Sequence, residues 1–394
     1  MICDWKECTI GDLGKVITGK TPSTKKEEFW GGNIMFITPK DIQGSKHIYK
    51  TERYITDNAL TPAKSIILPK NSICVSCIGN IGYLGVTTEI SISNQQINSI
   101  IVNNDNDVDF VYYLLKSLWS YFKNYEGQST TISILNKSQF SNIKVKIPNL
   151  EVQRKISKIL TLLDDKIELN TKINNNLLEQ VLAIYRHNFV NTANELRKTC
   201  RADEYFDISI GKTPPRKEPQ WFSTNSDDVT WVSISDMGSC GLYISESSEQ
   251  LTREAVERHN VKIVPDNTVL LSFKLTVGRI AITNGEMTTN EAIAHFKTDK
   301  KEINEYLYCY LKCFNYQTMG STSSIATAVN SKIIKGMPFV VPTDDEITEF
   351  HNIASPMFEK IKANQIEISN LSALRDTLLP KLMSGELDVS DIDL

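Results

Sequence analysis

Residues 14–22 read GKVITGKTP, and the first eight of them match G-x-x-x-x-G-K-[ST], the pattern in which backbone N–H groups, a lysine and a hydroxyl cradle nucleotide phosphates and magnesium. Two other stretches invite similar scrutiny. CVSC at 74–77 sets two thiols at metal-ligand spacing, and GNIGYLG at 79–85 is as glycine-rich as a methyl-donor or dinucleotide loop. A zinc site needs a second ligand pair, and none stands at zinc-ribbon distance from Cys74 and Cys77. The five histidines (47, 187, 259, 295 and 351) include no i,i+4 pair, and Asp164 with Asp165 reads as a solvated helix face. Glycines 79, 82 and 85 do not follow the G-x-G-x-x-G order, and no G-x-S-x-G elbow occurs. No metal site and no catalytic residue is expected in this chain, which points to a recognition protein.

The phosphate-loop match fails on its setting. A P-loop wants a strand that ends at the first glycine and a helix that opens on Gly-Lys-Thr. Here Pro22 follows Thr21 directly and biases that threonine away from helical geometry. The second failure comes from an internal repeat. GKTP at 19–22 recurs at 211–214, but the place of the first glycine is taken by Phe206. What repeats is the loop, and the nucleotide pattern is its accident.

The repeat runs through the chain. IMFITPKDI (34–42) aligns with VTWVSISDM (229–237), pairing Phe36 with Trp231 and Asp41 with Asp236. ILPKNSICVSCIGNIGYLGV (67–86) aligns with IVPDNTVLLSFKLTVGRIAI (263–282), and NQQIN (94–98) with NEAIA (290–294). Near the end Pro148 meets Pro342, and Asn170 meets Asn364. The protein is a unit of roughly 190 residues written twice, a length sufficient for two cores.

Each unit has two parts of different period. Residues 1–147 and 191–341 carry short β-branched runs such as IMFIT, SICVSCI and VTWVSI between turn residues, with one helical run each, DFVYYLLKSLWSYFKNY (109–125) and NEYLYCYLKCF (304–314). These are α/β (α+β) domains. Residues 148–190 and 342–383 instead read as long helices, the first spanning about 39 residues, or roughly 60 Å. Alternate steps of four and three give an apolar seam of Ile156, Leu160, Leu163, Ile167, Asn170, Asn174, Leu177, Val181 and Ile184 in the first. The second gives Ile347, Phe350, Ala354, Met357, Ile361, Asn364, Ile368, Leu371, Arg375 and Leu378. That spacing predicts an antiparallel coiled coil. Asn170 and Asn364, at equivalent seam positions, are expected to bond to each other and set its register; the alternative is exposure at a frayed seam. Pro356 is expected to kink the second helix or delay its regular part to about residue 357. An acidic tail, 384–394, closes the chain.

The net charge of −4 provides no bulk attraction for nucleic acid, so binding would rest on local patches or partners. No stretch approaches twenty apolar residues, the start MICDWKECTIGD lacks a signal pattern, and eight cysteines suit a reducing compartment. The expectation is a cytoplasmic protein that does not enter a membrane. For DNA contact the candidates are polar residues at matching loops. In the first copy these are Lys20, Thr21, Lys25, Lys26, Lys40, Asn80, Gln95 and Gln96; in the second, Lys212, Thr213, Arg216, Lys217, Lys274 and Arg279. GQSTTISILN (127–136) and GSTSSIATAVN (320–330) are further candidates. The alternative for GKTP is a structural turn with solvated lysines.

PNLEVQRKISKILTLLDDKIELNTKINNNLLE resembles the conserved segment that follows a target-recognition domain in the DNA-specificity subunits of type I restriction-modification enzymes, and SALRDTLLPKLMSGEL (372–387) resembles the end of a second such segment. The GKTP loops with Phe29 and Trp30, or Trp221 and Phe222, and SFKLTVGRIAI resemble that family's recognition domains. The likeness covers essentially the whole chain, although the second helix begins DDEITEFHNIASP without the usual Glu-Gln. It implies target-recognition domains at 1–147 and 191–341, related by a pseudo-twofold and held apart by the helical spacers. It implies an asymmetric, bipartite target in double-stranded DNA, two methyltransferase (modification) subunits, and endonuclease/translocase (restriction) subunits as partners. S-adenosylmethionine, ATP and Mg²⁺ would then belong to those partners, with no cofactor in this chain. Two rivals remain: a P-loop NTPase, and a two-headed DNA-binding or scaffold protein that works without a methyltransferase.

Overall fold

The computed structural model describes residues 5–42, 44–127, 133–192, 197–319, 330–390 and 392, except for the side chain of Pro62. Contacts divide the chain into two compact units, residues 1–169 with 368–394, and residues 170–367. Both are mixed α and β, and both follow one plan.

In the first unit a five-stranded sheet runs in the order Gly14–Thr18, Ile97–Val102, Ile73–Ser76, Leu84–Thr87, His47–Ile48. Neighbours are antiparallel until the last, which is parallel. A three-stranded sheet (Arg53–Ile55, Trp30–Ile37, Ser91–Ser93) stands beside it, and Lys6–Thr9 pairs with Lys144–Ile147 to tie the two ends of the domain together. The second unit repeats this plan, with four strands in its small sheet (Phe222–Ser223, Glu249–Leu251, Val229–Val232, Thr288–Thr289). Its five strands are Asp207–Ile210, Ile293–Lys297, Val269–Ser272, Ile280–Thr283 and Tyr243–Ile244, again antiparallel until a parallel last neighbour. Lys198–Arg201 and Pro338–Val341 make the closing pair. The runs are short because each meets a turn residue within a few positions; Asn71 and Asn267, both at positive φ, make the same turn ahead of the third strand.

Each sheet is backed by a short helix and by two long ones. Helix α1 spans Leu150–Tyr185 and helix α2 spans Asp344–Ser384. In the first unit, Phe110, Val111, Leu114 and Leu115 of Val108–Ser117 bury against Ile73, Val75 and Ile100 of the sheet, and Ile156 and Leu160 of α1 with Leu379 and Leu382 of α2 complete that core. In the second, Tyr306, Leu307 and Leu311 of Asn304–Cys313 meet Val269, Leu271 and Phe296, and the core is completed by Val181, Leu182 and Tyr185 of α1 with Ile347, Phe350, Phe358 and Ile361 of α2. Either domain therefore takes one segment of each long helix. The single helix expected over 109–125 is broken in two, Val108–Ser117 and Trp119–Gly127.

Within each unit the two helix segments run antiparallel, as paired residues show. Asp164 meets Arg375 in the first unit; in the second, Asn170 meets Glu367 and Asn174 meets Asn364. The seam predicted from spacing is present, but its two central asparagines do not bond to each other. Asn170 and Asn364 are each only 1% exposed, so they are not at a frayed seam. Asn170 donates to the Glu367 carboxylate at 2.8 Å, and Asn364 donates to Asn174 Oδ1, also at 2.8 Å. Residues at matching positions of an antiparallel pair meet only if the crossing point lies level with both. Here Asn364 lies opposite Asn174, one turn on from Asn170, and Asn170 lies opposite Glu367.

Helix α2 runs without interruption from Asp344, so Pro356 does not delay its regular part to residue 357. Its start does not need the missing Glu-Gln. Thr343 and Glu346 form a reciprocal cap, with Thr343 N–H donating to Glu346 Oε2 at 2.9 Å and Glu346 N–H donating to Thr343 Oγ1 at 3.3 Å. Glu346 in turn accepts from Arg197 at 2.8 Å. A start held from outside tolerates a proline in the fourth turn, which removes one backbone bond from a helix already anchored by Phe350, Ala354 and Phe358.

Asp164, expected on a solvated helix face, instead meets Arg375 at 2.7 Å in a pair largely shielded from solvent. Asp164 also accepts from Tyr113 Oη at 2.8 Å. Replacing Arg375 by Met leaves this carboxylate facing the helix seam without its guanidinium. The expected loss is about 3 kcal/mol of unfolding free energy, read from the urea midpoint, because breaking a buried pair costs far more than an exposed one.

Candidate nucleic-acid interface

The GKTP loops are built alike and rest on main-chain bonds. Gly19 N–H donates to Ile97 O at 3.1 Å and Lys20 N–H to Ser93 O at 2.9 Å; Gly211 N–H donates to Ile293 O at 3.1 Å and Lys212 N–H to Thr289 O at 2.9 Å. Both glycines lie against backbone. A Cβ on Gly19 would fall 2.2 Å from Asn94 O, and one on Gly211 would fall 2.2 Å from Asn290 O. The threonines finish the anchor: Thr21 Oγ1 donates to Gln95 Oε1 at 2.7 Å, and Thr213 donates to the Glu291 carboxylate.

This geometry removes the nucleotide reading. Gly14, the first glycine of the pattern, starts a strand rather than ending one, pairing with Val102. Residues 19–23 form no helix, so no helix N-terminus faces the place a phosphate would take.

A second loop joins the first in each unit. Cys77 N–H donates to Gln96 O at 2.8 Å, which ties the start of the turn that carries Asn80 to the Gln95–Gln96 segment. In the second unit Phe273 N–H donates to Ala292 O at 2.9 Å, which brings Lys274 beside Glu291 and Thr213. Partial burial would raise the pKa of Glu291. The Thr213 hydroxyl, its own backbone, Lys274 and Arg216 outweigh that and hold its carboxyl below the usual range. The structure thus gathers Lys20, Thr21, Asn80, Gln95 and Gln96 in one cluster, and Lys212, Thr213, Arg216 and Lys274 in the other. Lys20, Lys25, Asn80, Gln95, Lys217 and Lys274 are exposed.

Several predicted residues are committed to partners of their own. Arg216 forms a two-point bond to Glu249 at 2.9 and 2.8 Å and lies over the rings of Phe222 and Trp231, at 4.1 and 4.7 Å. Both partners of that ion pair are partly exposed, at 51% and 38% of the side chain. Lys212 Nζ donates to His259 O at 2.6 Å. Arg279 is turned inward against the 234–239 helix, where its guanidinium donates to Ile234 O and closes over Gly238. Lys26 faces Glu28 at 3.8 Å, and Lys40 sits in the turn after Trp30–Ile37 with Glu52 at 3.8 Å. Exposed pairs of this kind are weak and readily exchanged for a phosphate. Residues 128–132 and 320–329 of the loops at 127–136 and 320–330 lie outside the described residues.

The remaining chemistry is structural. Burial pushes the Cys74 and Cys77 thiols up, to about 12 and about 11, so both stay neutral. His295 is pushed down to about 3 by burial and is held between Ser209 and Thr289, at 3.0 and 2.7 Å. Among the described residues no group of three or more His, Cys, Asp or Glu could hold a metal ion, and no helix is long and apolar enough to cross a membrane. Sequence reasoning passed over Leu275, which stands between Lys274 and Thr276 and is 99% exposed. Its alignment opposite Gly79 was the available signal.

The sequence matches the type I restriction modification DNA specificity domain twice, over residues 3–179 and 195–371. It is 29% identical to the type I restriction enzyme MjaIX specificity subunit of Methanocaldococcus jannaschii, across 99% of this chain and 95% of that one. It is 25% identical to the HindI specificity subunit of Haemophilus influenzae, across 98% of this chain and 100% of that one. A crystal structure of the S subunit of a type I restriction-modification system from M. genitalium shares the fold, with a TM-score of 0.58 and 17% identity over 97% of this chain and 96% of that one.

The anchored turn makes a testable distinction between its first two residues. Gly211→Ala forces a methyl group into Thr289 and Asn290 and is expected to cost roughly 1–3 kcal/mol of stability in urea unfolding. Lys212→Ala, which removes an exposed side chain and its one exposed bond to His259 O, is expected to cost less than about 1 kcal/mol.

Proposed function

The chain belongs to the type I restriction-modification DNA-specificity family and recognises DNA targets through two tandem specificity domains; from that premise we propose that it reads an asymmetric, bipartite site, one half per domain. The observation that carries this reading is the loop cluster. Its backbone repeats in both units, while its rim does not: Asn80, Gln95 and Gln96 in the first are replaced by Thr276, Glu291 and Ala292 in the second. Amide side chains give bidentate contacts to adenine, whereas a carboxylate accepts from cytosine, so the two rims suit unlike base edges in the major groove. Lys20, Lys25, Lys217 and Lys274 are then the phosphate-positioning groups.

Catalysis, in this proposal, lies outside the chain. Two modification subunits would dock on it and carry S-adenosylmethionine, and restriction subunits would bring ATP and Mg²⁺. The net charge of −4 fits a subunit that binds DNA weakly alone and gains affinity when partners close around the duplex. The long helices act as spacer between the half-sites, and the compartment is the cytoplasm.

The test is co-expression with a modification subunit, followed by methylation-aware sequencing of the host DNA. An interrupted motif with a constant gap is the expected result, and exchanging residues 1–147 for those of a relative should change one half of it only. A chain that assembles no complex and directs no methylation would instead support the two-headed scaffold. ATP binding abolished by Lys20→Ala would revive the nucleotide site.

A further inference from the structure

Leu275 occupies the most exposed position among the large hydrophobic residues described, at 99%, and it does so in a strained backbone. Its φ is +60°, and Thr276 N–H reaches back across it to Lys274 O at 2.6 Å. This is a γ-turn of the rare, strained hand, disfavoured for a residue with a Cβ. The equivalent turn in the first unit has the same framework. Ser76 and Ser272 each donate through Oγ to the fourth residue on, at 2.6 Å, and each accepts from the N–H of the seventh, Tyr83 at 2.9 Å and Arg279 at 3.0 Å. There the apex is Gly79, at φ +74°, which carries no penalty.

The fold thus accepts glycine at this apex and gains nothing from leucine, which touches no core and strains the turn. Its use must lie outside the chain. A single leucine is far too small for protein docking, which buries on the order of 1,200 Å² or more. Its neighbours indicate the occupant: Lys274 is exposed beside it, and the loop is bonded to the Ala292 segment against which Thr213 and the GKTP turn are anchored. Of the groups on the major-groove edges of base pairs, the thymine methyl is the apolar one.

We infer that Leu275 is a specificity-determining residue of the second domain, making apolar contact with a thymine C5-methyl while Lys274 holds the adjoining phosphate. This rests on the DNA-recognition reading above. It adds a residue, a contact and a base.

The test uses the complex assembled with its modification subunits and a duplex carrying the motif read by sequencing. Wild type is compared with L275G, which restores the apex of the first unit, and with L275N, which tolerates positive φ but presents a polar head. Each thymine of the second domain's half-site is replaced in turn by deoxyuridine, which lacks only the methyl. One such replacement should weaken wild-type binding about fourfold, the effect of one buried methyl group, and leave L275G and L275N unchanged. L275G should melt at or above the wild-type temperature. Equal sensitivity of wild type and variants at every thymine, a half-site without thymine, or a lower melting temperature for L275G would overturn the inference. So would 2-aminopurine brightening that depends on Leu275, because that reports insertion between bases rather than contact with an edge. A wild-type complex that directs no methylation would overturn the underlying DNA reading itself, and this inference with it.

Discussion

The burial of one stripe on each long helix, against a domain and against the other helix at once, is the constraint on which the rest of the structure depends. Neither sheet closes its core alone. Ile156, Leu160, Leu379 and Leu382 are more than nine-tenths buried in the first unit, as are Val181, Leu182, Tyr185, Phe350, Phe358 and Ile361 in the second. A helix that served only a two-stranded coil would bury its a and d positions and little else. Here adjacent residues such as Val181 and Leu182 are both buried, which widens the stripe to what a globular core demands. Each domain consequently cannot fold to its native core without helix segments that lie almost two hundred residues apart in sequence. Stability and recognition are coupled by that arrangement.

Apolar stripes alone would tolerate sliding by a turn, since one leucine packs much like another. The polar contacts remove that freedom. Asp164 with Arg375 and Tyr113, Asn170 with Glu367, and Asn364 with Asn174 each place a donor opposite an acceptor in only one register. Such groups add little net stability over an apolar replacement, because desolvation offsets attraction; their contribution is to make the wrong alignments costly. They also distinguish the copies. Asn174 aligns with Ile368 and Glu367 with Ile173, so the two ends of the repeat are not interchangeable even though their backbones agree.

The duplication, the alternation of α/β and helical parts, and the seam positions were legible because each is a pattern of residue types at a regular spacing. So was the failure of the phosphate loop, which turned on Pro22 and Phe206. What escaped depends on pairs that no periodicity links. Arg216 pairs with Glu249, 33 residues away, and lies over Trp231; Arg279 bonds a carbonyl 45 residues back. Both look like free cations in a polar loop. The asparagines were placed correctly in the seam, but which residue each would face depends on where the helices cross, a tertiary quantity. The delayed start expected from Pro356 was judged locally, whereas the Thr343–Glu346 cap and the core residues around the proline decide where the helix begins.

The recurrence of GKTP has a physical reason that also explains how one duplicated fold serves two half-sites. The turn is held by N–H groups of its first two residues bonding to carbonyls at a strand end, and by the absence of a Cβ where that strand passes. None of these requirements involves a side chain at the rim. Asn80 or Thr276 and Gly79 or Leu275 are therefore substituents on a scaffold whose geometry does not depend on them, while Gln95 and Glu291, which differ in charge, each still accept from the threonine of the turn. Because a base contact is worth only a few kcal/mol and is lost when the donor shifts by an ångström, a reading loop has to be rigid first and variable second. A glycine pinned by main-chain bonds meets both conditions: it fixes the path of the chain and leaves the adjoining side chains free to differ.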